Sequence, residues 1–204
     1  LLKGSIFKKF MKILAFTDSH GDKKAIKEIL RKSRFVDVVV CAGDLSNFSL
    51  DLEILLKQLS KIEKPLLIIH GNHELDTELR KLCKKYKFIF MHKTQYKIDN
   101  YLFVGFGGGG FSKIDEDFED WGKKIKKRKN EIMILITHAP IYNTKLDFLP
   151  RIGHVGNVSI RKFIEKKNPE LAICGHFHEN FGVVDKIKQT EVIKDKAPLV
   201  AALA

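Results

Sequence analysis

Apolar residues fall into short runs rich in β-branched side chains, separated by stretches in which leucine and isoleucine recur at three- and four-residue spacing. The short runs predict strands over residues 12–16, 37–41, 66–69, 88–90, 101–106, 132–137, 171–174 and 181–184. Several are apolar without alternation, as expected of strands covered on both faces. Helices are predicted over residues 23–32, 50–61, 75–84 and 157–167. In the second of these, Leu52, Leu55, Leu56 and Leu59 share one face. Asn168-Pro169 closes the last, because the proline ring disfavours helical backbone in the residue before it. Strands alternating with helices argue for an α/β layered sheet rather than a bundle. No Pro-, Gly- or Ser-rich linker divides the chain and no repeat is visible, so residues 11–204 read as one domain, with residues 1–10 as an extension outside the fold.

Residues 107–130 break the pattern. They open on four glycines, turn acidic from Asp115 to Asp120 and basic from Lys123 to Lys129. This segment is expected to be the least ordered, and a lid over an active site and a loop ending in a solvated helix fit it equally well. The glycines are not a nucleotide-binding loop, since no Gly-Lys-Ser/Thr follows them.

Composition narrows the class. A chain of 204 residues buries about 70% of the surface its unfolded form exposes, so no covalent staple is required. Apolar residues at 44% and charged residues at 30% exclude a disordered chain. Thirty-seven Lys and Arg against 25 Asp and Glu give a net charge of +12, which favours an anionic partner without saying which. Cys41, Cys83 and Cys174 form an odd set with no CxxC pair, which argues against a disulfide framework and a structural zinc site and for a reducing compartment. No apolar run approaches the ~18 residues of a membrane span. The basic N-terminus leads into an apolar run too short for a secretion signal, and the expected location is cytoplasmic.

Chemistry concentrates where the predicted strands end. The first runs into Asp18-Ser19-His20, the second into Gly43-Asp44, the third into Gly71-Asn72-His73-Glu74, the strand at 132–137 into His138, and the strand at 171–174 into Gly175-His176-Phe177-His178. Five of the eight histidines lie in these segments, at strand carboxyl ends, where ligands bind in open α/β sheets. Imidazoles with carboxylate and amide oxygens and no thiolate suit manganese, iron, zinc or nickel. Six or seven such ligands are too many for one tetrahedral ion and right for two ions sharing a carboxylate, an arrangement that activates water for displacement at phosphorus. A zincin reading of His73-Glu74 fails, because the second histidine it needs would stand at position 77, which is Thr.

Taken in order, Asp18-x-His20, Gly43-Asp44, Gly71-Asn72-His73-Glu74, His138 and Gly175-His176-x-His178 resemble the motif set of the calcineurin-like metallophosphoesterases, of the small prokaryotic type. The resemblance implies an α/β fold, a two-sheet αββα sandwich with the metal site at the carboxyl ends of its strands. It implies two divalent metal ions, manganese first, with iron, nickel or zinc as alternatives. Asp18, His20 and His178 would hold one, Asn72, His138 and His176 the other, and Asp44 would bridge. His73 matches the family's non-ligand histidine, which assists the leaving-group oxygen or steadies the phosphoryl group. Glu74 is expected to support the ligands or cap a helix rather than act in catalysis.

Two departures stand out. Where calcineurin-type phosphatases carry an aspartate that orients the catalytic histidine, this chain has Asn47, whose amide oxygen is expected to accept the imidazole N–H of His73. The tail over 192–204 lacks the family's usual Asn-Pro-Gly turn, leaving that sheet edge open to an altered end or a dimer contact. His154, between Gly153 and Gly156, is a candidate substrate contact, while Arg151 and Arg161 are phosphate clamps by type only. His70 is expected in the core or behind the ligands, His92 on the surface, and Cys41 and Cys174 as small buried fillers. The expected function is hydrolysis of a phosphomonoester or phosphodiester, with a small phosphate ester or nucleotide as substrate. Alternatives are a catalytically silent scaffold on the same fold and a nuclease, the latter resting on net charge alone. No membrane partner is expected, and the sequence leaves oligomeric state open.

Overall fold

A computed structural model describes residues 10–194 and 199–203. The strands are β1 (Met11–Phe16), β2 (Val38–Cys41), β3 (Leu66–Ile68), β4 (Ile89–Phe90), β5 (Thr94–Ile98), β6 (Tyr101–Phe106), β7 (Ile132–Thr137), β8 (Phe148–Leu149), β9 (Gly153–His154), β10 (Leu171–Ile173), β11 (Val184–Ile187), β12 (Thr190–Ile193) and β13 (Leu199–Leu203). The helices are α1 (Lys23–Lys32), α2 (Leu52–Leu59), α3 (Asp76–Tyr86), α4 (Glu116–Lys123) and α5 (Val158–Lys167).

Two sheets form, in the orders β13-β1-β2-β3-β4 and β11-β12-β10-β7-β6-β5, with β8 and β9 as a small separate hairpin. Strands β1 to β4 are mutually parallel, as are β6, β7, β10 and β12, so each sheet delivers its strand ends to one edge. Period-two geometry explains why the central strands carry no alternation. In β1, Ile13 and Ala15 point into the space between the sheets and meet Phe103, Ile134 and Ile173 of the other sheet. Their neighbours Leu14 and Phe16 point the other way, onto Ile26, Ile29, Leu52 and Leu56 of α1 and α2. The second sheet repeats this, with Val104, Phe106 and Leu135 packed on Phe118 of α4 and on Ile160 and Phe163 of α5. The result is the expected αββα sandwich.

Helix starts follow local chemistry. Asp22 accepts hydrogen bonds from the backbone N–H groups of Lys24 and Ala25, Asp115 from Phe118, and Asn157 from Ile160, which satisfies amides with no partner inside the helix.

The structure corrects four expectations. Residues 178–180 form a 3-10 turn and the strand begins at Val184, so the predicted strand at 181–184 is misplaced. Residues 107–130 are not a loose loop: Glu116–Lys123 is helical, and Phe118 and Gly122 are buried against Phe163. Strand β5, with its polar-apolar alternation, was not predicted at all. The tail is not open-ended: β12 pairs with β10 and β11, and β13 pairs antiparallel to β1 at the edge of the first sheet. Of the predicted extension at 1–10, residues 1–9 lie outside the described residues, as do 195–198 and 204 of the tail. Among the described residues, no helix is long and apolar enough to cross a membrane.

Candidate metal centre

Five strand ends meet at one edge of the sandwich. The loops after β1, β2 and β3 bring Asp18, His20, Asp44, Asn72 and His73 from the first sheet, and those after β7 and β10 bring His138, His176 and His178 from the second. The loops interlock through their backbones: Asp18 N–H donates to the Gly43 carbonyl and Gly175 N–H to that of His138, both at 3.0 Å. Asp18, His20, Asp44 and His176 all have positive φ, between 45° and 81°. That region is costly for a side-chain-bearing residue and is met mainly where surroundings impose it, as at functional sites. Two glycines permit the crowding. A Cβ on Gly71 would lie 2.0 Å from Asp44 Oδ1, and one on Gly43 would lie 2.6 Å from the Gly71 nitrogen.

The side chains form three overlapping groups of potential ligand atoms: Asp18, His20 and His178; Asp44, His138 and His176; and His20, Asp44 and His73. His20 Nε2 and His178 Nε2 are 3.0 Å apart, and Asp18 Oδ1 is 3.8 Å from the latter. In the second group His138 Nε2 and His176 Nδ1 each approach Asn72 Oδ1 to 2.9 Å, and His138 Nε2 is 3.3 Å from Asp44 Oδ2. His138 Nδ1 donates to the Ala42 carbonyl at 3.0 Å, so a neutral His138 ring points a lone pair at those two oxygens. Three acceptors converging this closely require a cation among them, a proton or a metal ion. Burial opposes charge on His138, yet the hydrogen bond and charge of Asp44 raise its pKa. Burial would likewise raise the Asp44 carboxyl, but His138, the backbone N–H of His73 and the His73 ring outweigh it and hold it at about 2. His176 goes the other way, pushed to about 4 by burial and by neighbouring His138. Imidazoles, carboxylates and one amide oxygen, with no Lys or Arg lining the pocket among the described residues, fit divalent cations.

The pocket over these groups has a volume of about 560 Å³ and is also lined by Asn47, Phe111, Phe177 and Glu179. A profile of the calcineurin-like phosphoesterases matches residues 11–180, which carry all of these ligand candidates. The chain belongs to the calcineurin-like phosphoesterases. An uncharacterised protein of Methanocaldococcus jannaschii is 36% identical over 198 residues, spanning 91% of this chain and 88% of its own length. Among solved structures, a Thermus thermophilus protein aligns with a TM-score of 0.67 at 15% identity, over 93% of this chain and 91% of its own. A dimetal phosphatase from Danio rerio aligns with a TM-score of 0.63 at 11% identity, over 92% and 88%. At those identities the structures show a shared fold. Membership of this calcineurin-like family makes the chain a metal-dependent phosphoesterase in general terms.

Several individual expectations for this phosphoesterase change. Asn47 does not accept from His73: its Nδ2 donates to the His20 carbonyl at 3.2 Å. The backbone N–H of Phe48 instead donates to His73 Nδ1 at 3.3 Å, so the neutral ring carries its proton on Nε2, 3.9 Å from Asp44 Oδ2. Glu74 caps no helix, since the N-cap of α3 is Leu75 without a side-chain bond. It is buried and accepts from the N–H groups of Asp44, Ser46 and Gly71 and from the Ser46 hydroxyl, binding two ligand loops together. His154 does not line the pocket; its Nδ1 lies 2.7 Å from buried Asp147, which also accepts three backbone N–H groups. Arg161 pairs with Glu165, and Arg151 is exposed away from the lining. Cys41 and Cys174 are fully buried, and burial raises both thiols, Cys174 to about 12.

His92 is not a surface residue. It is half-buried between His70 and Phe106, with ring centroids 4.8 and 4.9 Å away, and burial and His70 push its pKa to about 4. With Asp76 these two histidines form a further acid–imidazole cluster. Gly107 N–H donates to His92 Nδ1, however, so the neutral ring offers a proton rather than a lone pair on its other nitrogen. Sequence reasoning also missed Lys194, buried behind the site, whose Nζ donates to the Phe177 carbonyl and sits within 5.6 Å of the Phe177 and Phe181 rings. Burial lowers its pKa.

Proposed function

We propose that the protein hydrolyses phosphate esters with two divalent ions, one held by Asp18, His20 and His178, the other by Asn72, His138 and His176, with Asp44 serving both. The observation that carries the reading is the position of Asp44, whose Oδ2 is 3.3 Å from His138 Nε2 and 3.9 Å from His20 Nε2, one candidate ligand from each group. Bound ions of this kind acidify water and neutralise charge on a phosphoryl group. In the reaction a P–O bond forms to a water oxygen and the bond to the ester oxygen breaks. The electron pair leaves with that oxygen, which takes up a proton and departs as an alcohol. His73 holds its proton on Nε2 by virtue of the Phe48 N–H at Nδ1, and from there donates a hydrogen bond to the phosphoryl or leaving oxygen. Asn47 contacts the His20 carbonyl instead and makes no hydrogen bond with the His73 ring.

Manganese is the first expectation for the ions, with iron, nickel or zinc as alternatives. The substrate is a phosphomonoester or phosphodiester of small size. A nucleic-acid strand is not favoured, because the excess of positive charge does not reach the lining residues, among which Glu179 is acidic. Metal-stripped protein is expected to be inactive on p-nitrophenyl phosphate and its bis ester, with turnover of at least one restored by added manganese, iron(II), nickel or zinc. Absence of turnover with every metal would refute the proposal.

A further inference from the structure

We propose that the site selects esters whose leaving group is a planar aromatic ring, and that Phe48 is the side chain that stacks on it; this rests on the phosphoesterase reading above. Phe48 and Phe111 are 80% and 81% exposed, in a chain whose other apolar side chains mostly fill three cores. Each sits against a different histidine of the site, Phe48 on His73 with centroids 4.3 Å apart and Phe111 on His176 at 4.4 Å. Leaving a phenyl ring in water forgoes the stabilisation that burying it would bring.

The backbone holds Phe48 in that position at a cost. Phe48, Ser49 and Asp51 have φ of 49°, 59° and 56°, the left-handed region that glycine or asparagine enters far more easily. The same turn is tied to His73 by two hydrogen bonds, Phe48 N–H to the ring and Ser49 N–H to the His73 carbonyl at 2.9 Å. Ring and histidine are therefore joined through both the backbone and the imidazole. Phe48 is thus the aromatic side chain packed directly on the histidine whose Nε2 would donate to the leaving oxygen.

The lining of the adjoining pocket points to the same class. With Glu179 in the lining and no Lys or Arg there among the described residues, nothing in the wall matches additional phosphates. Recognition beyond the reacting phosphoryl group falls to Phe111 and Phe177 in the lining and to Phe48, which adjoins the pocket against His73. A pocket of about 560 Å³ has room for a phosphoryl group and one ring system. Aromatic pairs contribute stabilisation beyond the area they bury.

The test compares phenyl esters with fluorinated-alkyl esters of matched leaving-group acidity, as monoesters or methyl diesters, whichever the metal-loaded wild type cleaves faster. In Phe48→Ala the aryl-to-alkyl ratio of kcat/KM is expected to fall about ten-fold, equivalent to ~1.4 kcal/mol, and Phe48→Trp is expected to preserve it. Phe48→Trp also gives a readout without turnover: its indole emission should respond to phenylphosphonate and not to methylphosphonate. A ratio unchanged within two-fold in Phe48→Ala, or equal responses to the two phosphonates, would overturn the proposal. Wild-type protein that cleaves neither ester with any metal would instead overturn the phosphoesterase reading beneath it.

Discussion

Asp44→Asn is expected to lower metal-restored ester hydrolysis by about three orders of magnitude, roughly 4 kcal/mol in the barrier, while leaving the fold intact. The substitution keeps the shape of the side chain, and Oδ1 can still accept the His73 N–H that lies 3.0 Å away. What disappears is the charge on the oxygen that approaches His138, His20 and His73 within 3.9 Å. In the native site this carboxylate is fully ionised at neutral pH, held at about 2 despite its burial. An amide there neutralises the carboxylate shared by the Asp44–His138–His176 and His20–Asp44–His73 groups and turns an N–H toward the His138 lone pair. Metal content measured beside kcat/KM checks the cause: bound metal should fall together with rate, and a variant within ten-fold of wild type would remove Asp44 from the mechanism.

Glu74→Ala should cost about 3–6 kcal/mol of stability, a large share of the 5–15 typical of a folded domain. The carboxylate does not itself line the pocket, yet four donors converge on it at 2.9–3.0 Å. Alanine leaves the buried N–H groups of Asp44, Ser46 and Gly71 without that partner, and an orphaned buried donor costs about 1–3 kcal/mol. Because Asp44 and the Gly71–Asn72 turn lose their common anchor, affinity for metal should weaken as well. Urea unfolding and metal titration together test this; a stability change below about 1 kcal/mol would show that water replaces the carboxylate without penalty.

The core and the cluster of candidate ligands were legible in the sequence for one reason: both are written in contiguous segments. Strands such as Ile132–Thr137 are covered on both faces, so they read as unbroken apolar runs, and each ends directly in its ligand residues. Elements exposed on one side were harder. The edge strand Thr94–Ile98 alternates polar and apolar residues over only five positions, and at the opposite edge Phe181–Val184 offered a more apolar but wrong candidate beside Val184–Ile187. Contacts decided by loop geometry were not legible at all. Whether Asn47 or the next residue's backbone meets His73 depends on left-handed turns at Phe48 and Ser49 that their residue types do not announce. Lys194 lies in a segment whose partner, the Phe177 carbonyl, is 17 residues away, and a lysine in an otherwise unremarkable stretch signals solvent far more often than burial.

The division of candidate ligands between the two sheets has a consequence for folding. Asp18, His20, Asp44 and Asn72 ride on one layer, His138, His176 and His178 on the other, and the layers meet through the apolar contacts of Ile13, Phe103 and Ile134. A cation bound by both sets acts as a rivet across the sandwich, able to form only after the layers have docked. Metal then tightens the protein by mass action, by about 2.7 kcal/mol when free ion stands at a hundred times its dissociation constant. Sliding one layer against the other, even with each sheet intact, would dismantle the site before it unfolded the chain.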